Sequence, residues 1–191
     1  MVAPVTFLLV DGENIDGVLG QILGHRPDPA DRPRWERVAQ GIERWGNAPV
    51  RSFFFINGSS GTIPGPFIQA LRAVGYAPVL VAGQGKVVDQ AIVATLAEIE
   101  YRQGPVALAS HDADFALALE RLASQGRRVG LACFTEYASG QLTSIEGLDV
   151  LDLEDGLHAF RDGVQLPRIR IIPIERFDPV SLLGDAGLKE D

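Results

Sequence analysis

The feature that most constrains the fold is an uninterrupted apolar run, FLLV at residues 7–10, which ends abruptly at Asp11. An apolar run without polar alternation is typical of a strand that is buried on both faces, as in a parallel sheet. In open α/β sheets, ligands bind beyond the carboxyl ends of the strands. The first strand therefore delivers the Asp11 carboxylate, and Asn14 just after it, to the edge of the sheet where chemistry usually occurs.

The rest of the chain alternates between segments typical of strands and segments typical of helices. Further strands are predicted at residues 49–56, 76–81, 106–109, 127–134 and 149–152. Helices are predicted at residues 15–23, 34–45, 67–74, 87–101, 115–124, 139–144 and 154–160. This alternation favours an α/β fold with three layers, α/β/α, in which helices cover both faces of a mostly parallel, twisted sheet.

Length and composition narrow the classes of protein. The chain has 191 residues, 46% of them hydrophobic, which fits one folded domain and a short tail. Its single cysteine, Cys133, excludes an internal disulfide and a cysteine-based zinc site. The first apolar run is too short for a signal peptide or a membrane span, so we expect a cytoplasmic protein without a membrane partner. A formal net charge of −8 argues against a dedicated duplex-DNA binder, although metal ions allow an acidic protein to act on nucleic acid.

The character of the chain changes after Leu166. We expect residues 1–166 to form the domain and residues 167–191 to form a partly extended C-terminal arm. Prolines at 167, 173 and 179 exclude a long helix there. The Ile-rich stretch at residues 169–174 fits a contact with a neighbouring subunit as well as with its own body, so a homodimer stays open.

Three further acidic residues are expected at the same edge of the sheet as Asp11. Asp112 and Asp114 follow the strand at residues 106–109, and Asp89 opens a helix after a glycine-bearing loop. Clustered carboxylates repel one another, and a divalent cation is the usual means of holding them together. Oxygen ligands favour Mg²⁺ or Mn²⁺, and a site of this kind suits hydrolysis of phosphodiester bonds.

Each of these side chains also has a structural alternative. Asp11 or Asn14 would cap the helix that follows the first strand, and Asp112 is a natural N-cap for the helix at residues 115–124. Asp89 and Asp114 lie in first turns, where a carboxylate complements the helix dipole. The metal hypothesis rests on location, because several independent caps would all have to fall at strand ends by chance.

Three segments resemble the motifs of the NYN domain, a family of the PIN-like superfamily of metal-dependent nucleases. They read VDGEN at residues 10–14, KVVDQAIVATL at residues 86–96 and SHDADFALAL at residues 110–119. The segments follow the family's order and spacing from about residue 5 to residue 134. The resemblance implies a compact PIN-like α/β/α fold and a ribonuclease that depends on Mg²⁺ or Mn²⁺.

By position, the resemblance implies a role for each acidic residue. Asp11, Asp89 and Asp112 would bind the metal, and Asp114 would complete the catalytic carboxylates. Asn14 would orient water or phosphate nearby.

Substrate contacts are expected beside these carboxylates. The resemblance implies that Lys86 faces the phosphate backbone of the RNA. The flexible loop at residues 57–66, with Asn57 and Ser59, leaves a strand at the same edge. We expect this loop to contact phosphates through its backbone N–H groups, and the alternative is that its glycines serve only its turns.

Two departures from the family keep a second hypothesis open. The glycine that commonly precedes the aspartate pair is His111 here, and a histidine at this position fits an exposed loop better than a metal ligand. Thr95 and Leu96 stand where the family often carries another acidic residue.

The leading hypothesis is a metal-dependent endoribonuclease acting on single-stranded or structured RNA, and the alternative is a non-catalytic PIN-like module that binds RNA or has a regulatory role. A phosphatase of another doubly wound family is disfavoured, because Asp11 is followed by GEN rather than by a second aspartate two residues later.

Overall fold

The computed structural model describes residues 4–183, and within them six strands form one sheet. The strands are Thr6–Asp11 (β1), Val50–Asn57 (β2), Tyr76–Val81 (β3), Val106–Ala109 (β4), Val129–Cys133 (β5) and Leu148–Asp152 (β6). Their order is β3-β2-β1-β4-β5-β6, and every neighbouring pair is parallel. The predicted parallel sheet is therefore confirmed.

Helices connect successive strands in the described part of the chain. They are Gly12–Leu23 (α1), Trp35–Gly46 (α2), Gly65–Ala73 (α3), Val87–Ile99 (α4), Ala116–Ser124 (α5) and Gly140–Thr143 (α6), while Pro179–Leu183 (α7) follows the last strand. Short 3₁₀ turns lie at Ala113–Phe115, Thr135–Tyr137 and Ile174–Arg176. No helix among the described residues is long and apolar enough to cross a membrane.

Two hydrophobic cores lie on opposite faces of the sheet and make three layers. In β1, Leu8 and Val10 pack into the core that contains α1, α2 and α3. The alternate residues Phe7 and Leu9 pack into the core of α4, α5 and α6. Burial of each such side chain stabilises the fold by about 2 kcal/mol. The apolar run in β1 is unbroken because both faces of the strand are buried, as predicted. The predicted α/β/α architecture is confirmed.

The sheet reverses its direction of growth at β1, and this places the carboxyl ends of β1 and β4 side by side. From β1 the chain builds outward through β2 to β3, and then returns to the other side of β1 as β4. The register pairs Val10 with Ala109, so Asp11 and Ser110 follow at the same level. Such a reversal leaves a crevice beyond the strand ends, where α/β folds bind ligands.

The predicted helix at residues 154–160 is wrong, because Asp152 organises a turn instead. Its carboxylate Oδ1 accepts hydrogen bonds from the N–H groups of Glu154 and Asp155, at 3.0 Å each. Its carbonyl oxygen accepts from the N–H groups of Gly156 and Leu157. Aspartate bonds of this kind compete with helix formation. The apolar spacing that suggested a helix is still used, since Leu157 is buried in the core.

After this turn the described chain continues without regular structure from residue 161 to residue 173. The segment is held to the body at Arg168, whose side chain is only 2% exposed. The proline-rich sequence forms only the short elements Ile174–Arg176 and Pro179–Leu183 here, as its prolines predicted. The domain boundary at residue 166 stays a prediction, and residues 184–191 of the predicted arm lie outside the described residues.

Candidate active site

Three carboxylates converge beyond the carboxyl ends of β1 and β4. Asp89 lies in the first turn of α4, while Asp112 and Asp114 lie in the turn that follows β4. One oxygen from each lies within 4.8 Å of the others. Among residues 4–183, no other group of three or more acidic, histidine or cysteine side chains lies close enough together to share one ion.

A lysine already occupies the centre of these three carboxylates. The Lys86 Nζ lies 2.7 Å from Asp114 Oδ2, 3.3 Å from Asp89 Oδ2 and 3.4 Å from Asp112 Oδ2. Hydrogen bonds to Asp114 and Asp89, and the charge of Asp112, raise the pKa of Lys86 above its usual range. The carboxylates therefore act together on a single positive charge at this point.

Asp11 lies next to this set but outside it. Its side chain is 3% exposed; Oδ1 accepts from the Asn14 N–H at 3.3 Å and Oδ2 accepts from the Ser110 hydroxyl at 3.1 Å. Burial raises the pKa of Asp11 to about 6, although these two hydrogen bonds lower it. Among the described residues, the carboxylates close enough to share one ion are those of Asp89, Asp112 and Asp114. Metal binding by Asp11 therefore stays a prediction.

Ser110 connects Asp11 to the cluster and was not singled out from the sequence. Its hydroxyl donates to Asp11 and accepts from the N–H of Asp112 at 3.3 Å. The side chain is fully buried. The signal that points to it is the sheet register, because a hydroxyl that directly follows β4 lies beside the residue that ends β1.

His111 is a buried structural residue, so the exposed-loop interpretation is wrong. The side chain is 6% exposed, and its Nε2 accepts from the backbone N–H of Phe134 at 2.9 Å. The ring proton is consequently on Nδ1, which donates to Asn14 Oδ1 at 2.8 Å. Burial lowers the pKa of His111 to about 4, which keeps the ring neutral at neutral pH. The imidazole thus fixes the loop that carries Asp112.

Asn14 is the partner that receives both donors of His111. Its Oδ1 also accepts from the backbone N–H of His111, at 2.9 Å. The carboxamide oxygen is therefore fully engaged in holding α1 to the loop after β4. The Nδ2 group of Asn14 is the part of the side chain that would orient water or phosphate, and this role stays a prediction.

The capping alternatives are also realised in the structure. Asp11 is the N-cap of α1, and Asp112 caps the Ala113–Phe115 turn by accepting from the Asp114 N–H at 3.0 Å. A carboxylate has several lone pairs, so one oxygen can cap while another remains for a cation. For Asp112, Oδ1 caps and Oδ2 faces Lys86.

Asn57 and Ser59 bond to the backbone of loops at the same edge. Asn57 Oδ1 accepts from the Ser59 N–H at 2.9 Å. The Ser59 hydroxyl exchanges two hydrogen bonds with the backbone of Gly83, at 3.1 Å each. These contacts tie the loop after β2 to the loop that leads to Lys86. Their predicted contact with phosphates stays a prediction.

A second acidic cluster, absent from the sequence analysis, holds the C-terminal segment. The Arg168 guanidinium bonds to Glu136 Oε1 at 2.7 Å, to Asp152 Oδ1 at 2.7 Å and to Glu154 Oε2 at 3.1 Å. It also lies 5.3 Å from the ring centre of Phe134, which stacks on His111. We refer to these four charged residues as the Arg168 cluster.

Comparisons with known proteins agree with this architecture. The family model of the NYN domain matches residues 6–147. Among solved structures, the chain is similar to a protein of unknown function from Vibrio parahaemolyticus RIMD 2210633, with a TM-score of 0.64 and 21% identity. The similarity covers 81% of this chain and 95% of that chain, and at this identity it shows the fold alone. No curated protein matches the chain.

Proposed function

The chain belongs to the NYN domain family of PIN-like nucleases, and from this premise we propose that it is a metal-dependent endoribonuclease. The proposed reaction is hydrolysis of RNA phosphodiester bonds with Mg²⁺ or Mn²⁺. The observation that carries the proposal is the convergence of Asp89, Asp112 and Asp114 within 4.8 Å. Their position at the reversal of the sheet, where α/β folds bind ligands, supports it.

The chemistry of the cluster fits a hard divalent cation. Its donors are carboxylate oxygens, which Mg²⁺ and Mn²⁺ prefer, and they already share one positive charge at Lys86 Nζ. Asp89, Asp112 and Asp114 would hold the ion. When bound, the ion would supply Lewis acidity and a water of lowered pKa.

The residues around the cluster have separate proposed tasks. Asp11, with its pKa near 6, can hold a proton close to neutral pH, the property that acid–base catalysis requires. Ser110 links it to the backbone of Asp112. The Lys86 side chain is 63% exposed, so it can move from the carboxylates to a phosphate oxygen of the RNA.

The experiment is a cleavage assay on the Asp112→Asn variant. We expect Mn²⁺-dependent cleavage of a mixed single-stranded RNA by the parent and at least a hundredfold less by the variant, since removal of a metal ligand removes the charge on which the reaction depends. The free energy of unfolding should stay close to that of the parent, because Asp112 is partly exposed. Glu120→Gln, the same loss of charge on an exposed residue of α5, is the matched control. Retained cleavage by a nuclease-free Asp112→Asn preparation would overturn the assignment.

A non-catalytic RNA-binding or regulatory module is the second candidate. The observation that favours it is Lys86, whose ammonium already neutralises the carboxylates without a metal. RNA binding by the parent without metal-dependent cleavage would select this alternative. The cytoplasmic location and the homodimer stay predictions.

A further inference from the structure

A cavity of about 290 Å³ is lined by Gly12 and Glu13, the two residues that follow Asp11 in the chain. It lies between the first turns of α1, at Gly12 and Glu13, and the chain that follows β2. The rings of Phe54 and Phe67 form part of its wall. Because Gly12 directly follows Asp11, a chain bound across the strand ends would pass from the carboxylates into this cavity.

Phe67 and Arg32 lie together in the wall of the cavity. The Arg32 guanidinium carbon lies 5.9 Å from the ring centre of Phe67. Asp16 fixes this guanidinium through its Oδ2, which accepts from Nε at 2.8 Å and pairs with Nη2 at 2.7 Å. A fixed guanidinium and a half-buried aromatic ring are the two kinds of surface on which unpaired bases stack.

Arg26 brings an uncompensated positive charge to the same cavity. It is exposed, and within residues 4–183 its guanidinium has no hydrogen bond or ion pair, whereas Arg32 pairs with Asp16 and Arg34 with Glu36. In a chain with a net charge of −8, a free guanidinium in a cleft beside the strand ends suits a phosphate.

Glu13 adds an acceptor to the cavity wall. It is exposed, and its carboxylate makes no hydrogen bond or ion pair with the described residues. Carboxylates accept hydrogen bonds from the exocyclic amino groups of bases, as they do from the N4 amino group of cytosine. A wall with this acceptor suits an exocyclic amino group, which adenine, cytosine and guanine carry and uracil lacks.

We propose that this cavity is a nucleobase subsite, which binds an unpaired amino-bearing base next to the phosphate that is cleaved. The base stacks on Phe67 and Arg32, its amino group donates to Glu13, and Arg26 contacts the adjacent phosphate. The subsite rests on the proposed ribonuclease function and specifies its substrate: single-stranded RNA with an amino-bearing base at the cleavage site.

The test measures binding apart from cleavage. Fluorescence anisotropy of a short labelled oligoadenylate is followed with the full chain in EDTA, in which no divalent metal supports cleavage. We expect Phe67→Leu, which keeps an apolar side chain but removes the aromatic face, to weaken binding about tenfold. Arg26→Gln should weaken binding and lower the salt dependence by about one phosphate contact. Arg121→Gln, the same change of charge on α5 in the opposite layer, should match the parent.

Selectivity gives a second readout. The parent should bind oligoadenylate more tightly than oligouridylate, and Glu13→Gln should reduce this preference. Equal affinity of the parent for both oligonucleotides, or unchanged affinity in both Phe67→Leu and Arg26→Gln, would overturn the subsite.

The failures of the two proposals are distinguishable. If the parent does not cleave RNA in Mn²⁺ but Phe67→Leu still loses oligoadenylate binding, the nuclease assignment fails and the cavity remains a site that binds a base. If the parent cleaves and Phe67→Leu has an unchanged KM, the subsite fails and the nuclease assignment stands.

Discussion

At the scale of single residues, Lys86 competes with a metal ion for the three clustered carboxylates. Its ammonium group lies within 3.4 Å of all three clustered carboxylates, so it occupies the place in which a divalent ion would be held. An entering ion competes with this lysine for the same oxygens. The measured metal affinity therefore reflects the difference in free energy between the carboxylates bound to the ion and the carboxylates bound to Lys86.

The Lys86→Gln variant should bind Mn²⁺ several-fold more tightly than the parent. The substitution removes the competing charge, and it leaves the carboxylates repelling one another until an ion arrives. Calorimetric titration of the metal-free chains measures the change, and Arg121→Gln controls for the loss of one positive charge from the molecule. An affinity equal to or below that of the parent would show that Lys86 does not compete with the ion.

The pKa of Asp11 predicts how stability depends on pH. Burial raises this pKa to about 6 from an ordinary value of 3.8, so between these values the folded chain binds more protons than the unfolded chain. The contribution of Asp11 therefore falls as pH rises through this window. Asp11→Asn should increase the free energy of unfolding near pH 7.5 by about 1–3 kcal/mol and show no gain near pH 4. Urea unfolding in EDTA at both pH values measures this, and a gain of equal size at both would exclude the titration of Asp11 as its cause.

Sequence reasoning reached some of these residues and missed others for a physical reason. Asp89 and Asp112 follow from the pattern, because strand order alone brings the ends of β1 and β4 and the start of α4 to one edge. The burial of His111 does not, since it depends on a hydrogen bond to Phe134, which is distant in sequence. The ion pairs of Lys86 with Asp112 and Asp114 depend equally on the packing of two loops, which no local pattern encodes.

At the scale of elements, α1 shows why glycine follows the first aspartate. A Cβ at Gly12 would lie 2.3 Å from Cε1 of Phe54. That ring is 3% exposed and cannot move freely, because it packs edge-on against Trp35, Phe67 and Tyr76. The absence of a side chain at Gly12 therefore lets α1 start close enough to β2 to form the cavity wall.

Gly12→Ala should lower the free energy of unfolding by about 1–3 kcal/mol, because the added methyl group overpacks a filled core. The matched control is Gly17→Ala in the same helix, where nothing lies within 4 Å of the added Cβ. There alanine should stabilise the chain by about 0.5–1 kcal/mol through its higher helix propensity. Urea unfolding of both variants gives the comparison, and changes of the same sign would contradict this account.

The elements themselves were predictable to different degrees. An uninterrupted apolar run identified β1, and apolar periodicity identified α2 and α4; the burial of all three elements matches these patterns. The helix predicted after β6 was wrong, because the N–H groups of Glu154 and Asp155 donate to the Asp152 carboxylate and a turn forms instead. A single well-placed carboxylate thus overrode the helical spacing of the apolar residues around it.

At the scale of the whole molecule, the Arg168 cluster joins the C-terminal segment to the sheet. Burial by itself would raise the pKa of Asp152, but hydrogen bonds from Arg168, the Asp155 N–H and Thr135 hold it well below its usual range. Arg168 likewise lowers the pKa of Glu136 against the effect of burial. A lowered folded pKa contributes stability above the unfolded pKa, and this stability is lost as pH falls through the folded value.

Arg168→Leu should lower the free energy of unfolding by about 3–5 kcal/mol near neutral pH, because it leaves the partly buried Glu136 and Asp152 without a counter-charge and leaves Glu154 paired with Arg170 alone. Without the guanidinium, burial raises the pKa values of Asp152 and Glu136, so the variant should gain stability as pH falls. The difference from the parent should therefore shrink below about pH 4, where the carboxylates are protonated. Arg170→Gln is the control, since its side chain is 42% exposed and its pairs with Glu154 and Asp155 should contribute less than about 1 kcal/mol. Urea unfolding across this pH range distinguishes the outcomes, because a loss from packing alone would be the same at every pH.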